Sequence, residues 1–243
     1  MKPGMSNNSS FRENFLAGLK DGLPICLGYL AVSFAFGIQA VESGLTVFEA
    51  TMISLLNVTS AGQFAGIGII AANGSFLEIA ASQLIINLRY SLMSVAISQK
   101  IDPKLPTLKR LGIAFGMTDE IFAVSAARPG VLQPSFSLGA ISISVAGWVL
   151  GTFLGAYAGQ ILPDRVISAL GLALYGMFLA IIIPPARDSR PVLYVVLLAM
   201  FLSVLFTYAP YLRLISSGFR IIIVTLLSAG LFATISNKDS GES

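Results

Sequence analysis

Histidine is absent from this 243-residue chain, and cysteine occurs once. The first absence excludes histidine-based catalytic triads, histidine metal sites and histidine proton relays. The second excludes an internal disulfide, and Cys26 reads as a small apolar packing residue. Charge is scarce as well: 11% of residues are Asp, Glu, Lys or Arg, against about 25% in a soluble domain. No phosphate-binding G-x-x-x-x-G-K-[ST], no G-x-S-x-G, no H-E-x-x-H and no C-x-x-C occurs. The chain therefore carries no signature of ATP hydrolysis or of a soluble enzyme, and no cofactor or metal is implied. Short segments of period-two alternation are missing too, which excludes a transmembrane β-barrel.

What fills the chain is apolar: 55% of its residues are hydrophobic, and the mean hydropathy is +0.82. Apolar stretches run over 22–41, 46–72, 76–98, 111–127, 135–159, 166–183, 192–208 and 214–235. Helical crossing takes about 20 residues, so an all-α, polytopic membrane protein of about 6–8 transmembrane helices is expected. Turn formers punctuate it at Pro103, Pro106, Pro129, Pro134, Pro163, Pro184, Pro185 and Pro210. Residues 1–21 read as an amphipathic interfacial helix, 22–236 as one transmembrane domain and 237–243 as a polar tail. The net charge of +3 reflects basic loops and points to no nucleic acid.

Loop charge orients the chain. Arg12 and Lys20 precede the first span, whereas Glu42 and Glu49 follow it; the N-terminus is expected in the cytoplasm of a cell (inner) membrane. Lys100, Lys104, Lys109 and Arg110 form the strongest basic loop, and Arg187 with Arg190 the next. Eight plain crossings put the first of these loops outside. It moves inside if 46–72 and 111–127 each enter and return on one side. Both arrangements stay open at this point, including one in which 46–72 spans while unwound at its centre.

Those two segments hold the most conspicuous polar interruptions. Asn57, Thr59, Ser60, Gly62, Gln63, Phe64 and Gly66 break the first. Hydrocarbon leaves backbone groups unsatisfied, so such a break survives where it lines a cavity, as in transporters with broken helices. A small-residue contact of Gly62 and Gly66 with another helix is the alternative. The third segment carries Gln83, Asn87, Tyr90, Ser91, Ser94 and Ser98 at helical offsets, which predicts a single polar stripe. Arg89 falls off that stripe, and a central arginine costs at least ~2.5–3.5 kcal/mol on insertion scales. It needs an acidic partner or an anionic ligand. Gly116-Met117-Thr118-Asp119-Glu120 supplies two carboxyl groups about 100° apart on a helix. One is expected to meet Arg89 and the other to hold an ammonium or a proton; alternatively Asp119 caps a short helix starting at Glu120. Gly147, Gly151, Gly155 and Gly159 form a ridge that admits a close helix neighbour, expected within this chain. The sequon at Asn57 is a chance match in an apolar setting.

Several stretches together resemble the AzlC-type branched-chain amino acid permeases: Phe15 to Pro24, Ala61-Gly62-Gln63-Phe64, Asn87-Leu88-Arg89-Tyr90, Thr118-Asp119-Glu120 and the Trp148 to Gly159 glycine run. The resemblance extends in order from Phe15 to Phe201. It implies export of branched-chain amino acids such as valine, resistance to azaleucine, and a small, separately encoded AzlD-type membrane subunit. The substrate comes only from the resemblance. On that footing the substrate-binding candidates are Asn57, Ser60, Gly62, Gln63, Phe64, Asn87, Arg89, Thr118, Asp119 and Glu120. The Gly62-Gln63 amides and Arg89 would hold the carboxylate, Asp119 or Glu120 the ammonium, and Phe64 the apolar side chain. A membrane scaffold whose polar groups only pair internally, a transporter of another solute, and an intramembrane enzyme are the competing readings. The last is weakest, since adjacent carboxylates on one helix lack the opposed geometry of an acid–base pair.

Overall fold

A computed structural model describes residues 11–239. Its helices are α1 (Phe11–Glu42), α2 (Val47–Leu56), α3 (Ser60–Ala71), α4 (Phe76–Ile86), α5 (Leu88–Ser98), α6 (Thr107–Phe115), α7 (Asp119–Ala127), α8 (Pro134–Gly159), α9 (Asp164–Asp188), α10 (Arg190–Tyr208) and α11 (Ser217–Asp239). No strand occurs among the described residues. The protein is an all-α membrane protein. Among the described residues three helices, α1, α8 and α10, are long and apolar enough to cross a bilayer alone, and shorter apolar helices include α2, α3 and α4.

The chain divides into two compact units. The first holds residues to 41, 46–60 and 87–160; the second holds 42–45, 61–86 and 161 onward.

In the first unit α1 and α8 run parallel. A Cβ on Gly147, Gly151, Gly155 or Gly159 would meet Cys26, Leu30, Phe34 or Ile38 respectively, so both chains advance four residues at a time. The contact continues beyond the ridge, with Gly18, Gly22 and Gly37 of α1 against the backbone of Phe136, Ala140 and Thr152. The glycine ridge therefore serves packing within the chain, as expected, and lets two backbones approach as small-residue interfaces do. On α8 also packs α2, where Ser54 and Thr152 share a buried 2.6 Å hydroxyl hydrogen bond.

A hairpin of α6 and α7 enters this unit from the end where α1 starts. Leu108 and Lys109 line one cavity with Phe11 and Asn14, Gly116 sits over Ile141, and α7 returns so that Arg128 lies 3.8 Å from Asp21. Lys100 Nζ donates to the carbonyls of Ala126 (2.6 Å) and Arg128 (2.5 Å), neutralising the negative end of α7. Arg110 ties the loop by donating to Leu105, Asp102 and Pro103. Residues 111–127 thus enter and leave at one end, with the basic loop beside the start of α1. Ile97, Ile113, Met117, Ile121, Leu132 and Phe136 form the core beneath.

In the second unit α3 and α4 fold back on each other. Gly74 N donates to Ile69 O, and Gln83 Nε2 donates to the Gly62 carbonyl at 2.7 Å. Buried Glu78 (3% exposed) accepts from Gly218 N at 2.6 Å, so a carboxylate of α4 caps the positive end of α11.

Three expectations need correction. Residues 76–98 are two helices, α4 and α5, broken at Asn87, whose Oδ1 accepts from Thr59 (2.6 Å). The single polar stripe therefore does not exist. The antiparallel pair containing 60–71 is α3 with α4, in place of a return within 46–72. Residues 11–21 run without a break into the rest of α1, and residues 1–10 lie outside the described residues. Pro184 and Pro185 sit inside the last turns of α9; proline's fixed φ is helical, although each ring costs a backbone N–H and crowds the carbonyl four residues back. At the other end α11 reaches Asp239, so only 240–243 of the expected tail lie outside the described residues.

Candidate functional site

Three helix breaks in the first unit converge: Asn57 to Thr59, Asn87, and Gly116 to Thr118. Around them a cavity of about 50 Å³ is lined by Tyr29, Val58, Ser60, Arg89 and Tyr90, together with Thr118, Asp119, Glu120 and Trp148. Trp148 lies inside α8, roughly 16–21 Å from either helix end at 1.5 Å per residue, which puts the cavity near mid-membrane depth.

Two half-helices begin here. Thr118 caps α7, its side chain accepting from Ile121 N (3.4 Å), with Asp119 and Glu120 in the first turn. This corrects the reading of Asp119 as the cap: threonine's hydroxyl takes that role, and Asp119 is the first helical residue. The other half-helix, α5, begins at Leu88 with no side-chain cap on its N-terminus. Both helices run from the cavity toward the basic loop, so two positive dipole ends face one small space.

Charge is distributed unevenly. Arg89 and Asp119 close to 2.5 Å, each side chain nearly half exposed (46% and 45%). The guanidinium also lies 4.9 Å over the Tyr90 ring and donates to the Tyr90 hydroxyl at 3.3 Å. With Arg89 paired to Asp119, Glu120 takes its hydrogen bond from a neutral hydroxyl. Tyr29 O–H donates to Glu120 Oε2 at 2.5 Å and lies 2.6 Å from Thr118 Oγ1. The Tyr29 ring meets Trp148 edge-on, 5.3 Å between centroids at 74°. The three charged residues sum to one uncompensated negative charge. Charges at this depth need water, a ligand or another protein beside them.

Of the ten candidate residues, Ser60, Arg89, Thr118, Asp119 and Glu120 line the cavity. Asn57 ends α2, its N–H bonded to Ile53 O, and Asn87 is held by Thr59 just behind. Gly62, Gln63 and Phe64 belong to the second unit; the N–H groups of Gly62 and Gln63 fall in the first turn of α3, and Gln63 is 1% exposed. Tyr29, Tyr90 and Trp148 escaped the sequence reading as site residues. Tyr90 follows Arg89 directly and was legible as a partner, whereas the contact of Tyr29 with Glu120 spans 91 positions and leaves no local signal.

Comparison with known proteins agrees with this architecture. The family model described as AzlC protein matches residues 24–162. An uncharacterized membrane protein of Archaeoglobus fulgidus is 36% identical over 188 residues, covering 76% of this chain and 80% of that one. The inner membrane protein YgaZ of Escherichia coli is 31% identical over 176 residues, covering 70% and 72%. An uncharacterized membrane protein of Helicobacter pylori is 28% identical over 158 residues, covering 61% and 67%. No solved structure matches. The chain belongs to the AzlC family and is a multi-pass inner membrane protein.

Proposed function

We propose that this AzlC-family chain is the large subunit of a transporter that exports branched-chain amino acids such as valine, together with a small AzlD-type membrane subunit. Family and relatives support a membrane transport-related, non-enzymatic role. The observation that carries the finer reading is the charge pattern of the mid-membrane cavity: an uncapped helix start beside Arg89, and one carboxylate, Glu120, without a cation.

A zwitterion fits that pattern. Its carboxylate takes the N–H groups at the start of α5 and the outer edge of Arg89. Its ammonium supplies the cation Glu120 lacks. At about 50 Å³ the cavity holds one or two waters, at ~30 Å³ each, so an amino acid enters only when helices part. Glu120 must then release Tyr29, and we read that hydroxyl as a latch which the substrate ammonium replaces. Half-exposed charges at Arg89 and Asp119 suit a surface covered by the small subunit.

Counterflow of labelled valine in vesicles holding this protein and its small subunit tests the reading. Valine exchange above that of empty vesicles is the expected result. Its absence would favour a membrane scaffold, the reading that the internal Arg89–Asp119 pair by itself supports.

A further inference from the structure

The geometry points to a second amino acid site, a loading chamber at the end of the first unit where α1 starts; the inference rests on the transport reading above. A cavity of about 300 Å³ opens there, several times the central one, lined by Glu13, Asn14, Arg128, Leu132, Gln133 and Phe136 among others. Its cation is unusual. The Arg128 guanidinium lies 4.1 Å over the Phe136 ring and 3.8 Å from Asp21, and its side chain is 34% exposed. Among the described residues it donates no hydrogen bond, so a fork of five N–H donors is held in place by stacking and unspent.

The walls complement one chemistry. Arg128 offers bidentate binding to a carboxylate, and Glu13 offers an anion for an ammonium. Buried Leu132 (2%) and Phe136 (1%) form an apolar floor, and the carboxamides of Asn14 and Gln133 add donors and acceptors. A phosphate-like dianion is poorly served here, because Glu13 and Asp21 are acidic and the nearby Lys100 Nζ is engaged by the carbonyls of Ala126 and Arg128. An α-amino acid zwitterion with a short apolar side chain satisfies all four walls. The chamber also adjoins the end bearing the Lys100 to Arg110 loop, which loop charge assigns to the cytoplasm, and an exporter loads from that side. Substrate would wait here, held by Arg128, before the shut central cavity opens.

The test uses the two-subunit protein in vesicles of both orientations, measuring the KM for valine from each face. In R128Q the ratio of the KM on the Lys104 face to that on the opposite face should rise roughly tenfold, the loss expected for a charge-assisted pair. E13Q, at an exposed side chain, should move the ratio the same way by about threefold and carries the test if R128Q fails to fold. An unchanged ratio, or equal rises on both faces, overturns the loading chamber while leaving transport standing. If the wild type shows no counterflow, the transport reading falls, and equilibrium dialysis of labelled valine decides the chamber: binding that R128Q abolishes upholds it as a binding site, and binding indifferent to R128Q overturns it.

Discussion

Removing one hydroxyl at Tyr29 separates a latch from a ligand. In Y29F the ring keeps its edge contact with Trp148 at 5.3 Å, so packing survives and only the bonds to Glu120 (2.5 Å) and Thr118 (2.6 Å) go. A hydrogen bond to a charged group contributes about 1.5–3 kcal/mol, and 1.4 kcal/mol is tenfold in an equilibrium constant. Tyr29 is only partly buried, so the lower end of that range applies. If the substrate ammonium has to displace the hydroxyl, its removal should tighten valine binding roughly tenfold. Turnover should fall in the same variant, because an ammonium held more tightly in the bound state than at the barrier has a higher barrier to leave. Equilibrium dialysis of labelled valine on the purified two-subunit protein gives the first quantity, and initial efflux from loaded vesicles the second. Binding weakened in Y29F would refute the reasoning and make Tyr29 a ligand of the substrate. Binding unchanged would mean that Glu120 does not receive the ammonium.

Further outcomes follow from other parts of the structure. Arg89→Ala alone should lower folded yield by less than the ~3–5 kcal/mol of a fully buried pair, since both partners are nearly half exposed; the double neutralisation with Asp119→Asn should restore yield but not valine counterflow, and restored counterflow would reduce Arg89 to a structural role. Gly155→Leu places side-chain atoms where the Phe34 backbone stands, so it should cost more than the ~1–3 kcal/mol of ordinary overpacking; normal yield on size-exclusion chromatography would contradict the α1–α8 contact. Glu78→Ala removes the carboxylate cap of α11 and should lower thermal stability by about 1 kcal/mol, read from a thermal shift in detergent. With Cys26 replaced, a cysteine at Lys104 should resist membrane-impermeant thiol reagents in intact cells while one at Gly44 reacts; labelling at 104 would overturn the orientation.

The sequence revealed breaks wherever a polar residue interrupts an apolar run, because hydrocarbon makes such residues expensive. That exposed Asn57 to Thr59 and Gly116 to Thr118, and with them most of the cavity. It concealed Asn87, which sits at helical spacing from Gln83 and Tyr90 and so imitates one face of a continuous helix. Its bond to Thr59, 28 positions away, leaves no local signal of the break. Glu78 was hidden for the same reason, since its partner is the N-terminus of a helix 140 positions later. The glycine ridge was legible as a contact, but its neighbour was not: glycine records that something comes close without recording what.

The parallel course of α1 and α8 constrains how the rest of the first unit crosses the membrane. Both helices start at one end, and the α6–α7 hairpin enters and leaves at that same end, contributing no net crossing. One net crossing must therefore come from 46–98. Within the first unit that stretch contributes only α2, of 10 residues, and α5, of 11. At 1.5 Å per residue these are roughly 15 and 16 Å long, together about the ~30 Å thickness of the hydrocarbon. Their inner ends meet through the Thr59–Asn87 hydrogen bond at 2.6 Å. They act as two halves of one crossing, interrupted in the sequence by residues 61–86 of the second unit. Such a join leaves helix ends at mid-membrane, where an uninterrupted helix would have none. That is how Arg89 comes to lie beside an uncapped helix start, and why Asp119 and Glu120, at the matching break between α6 and α7, can reach it.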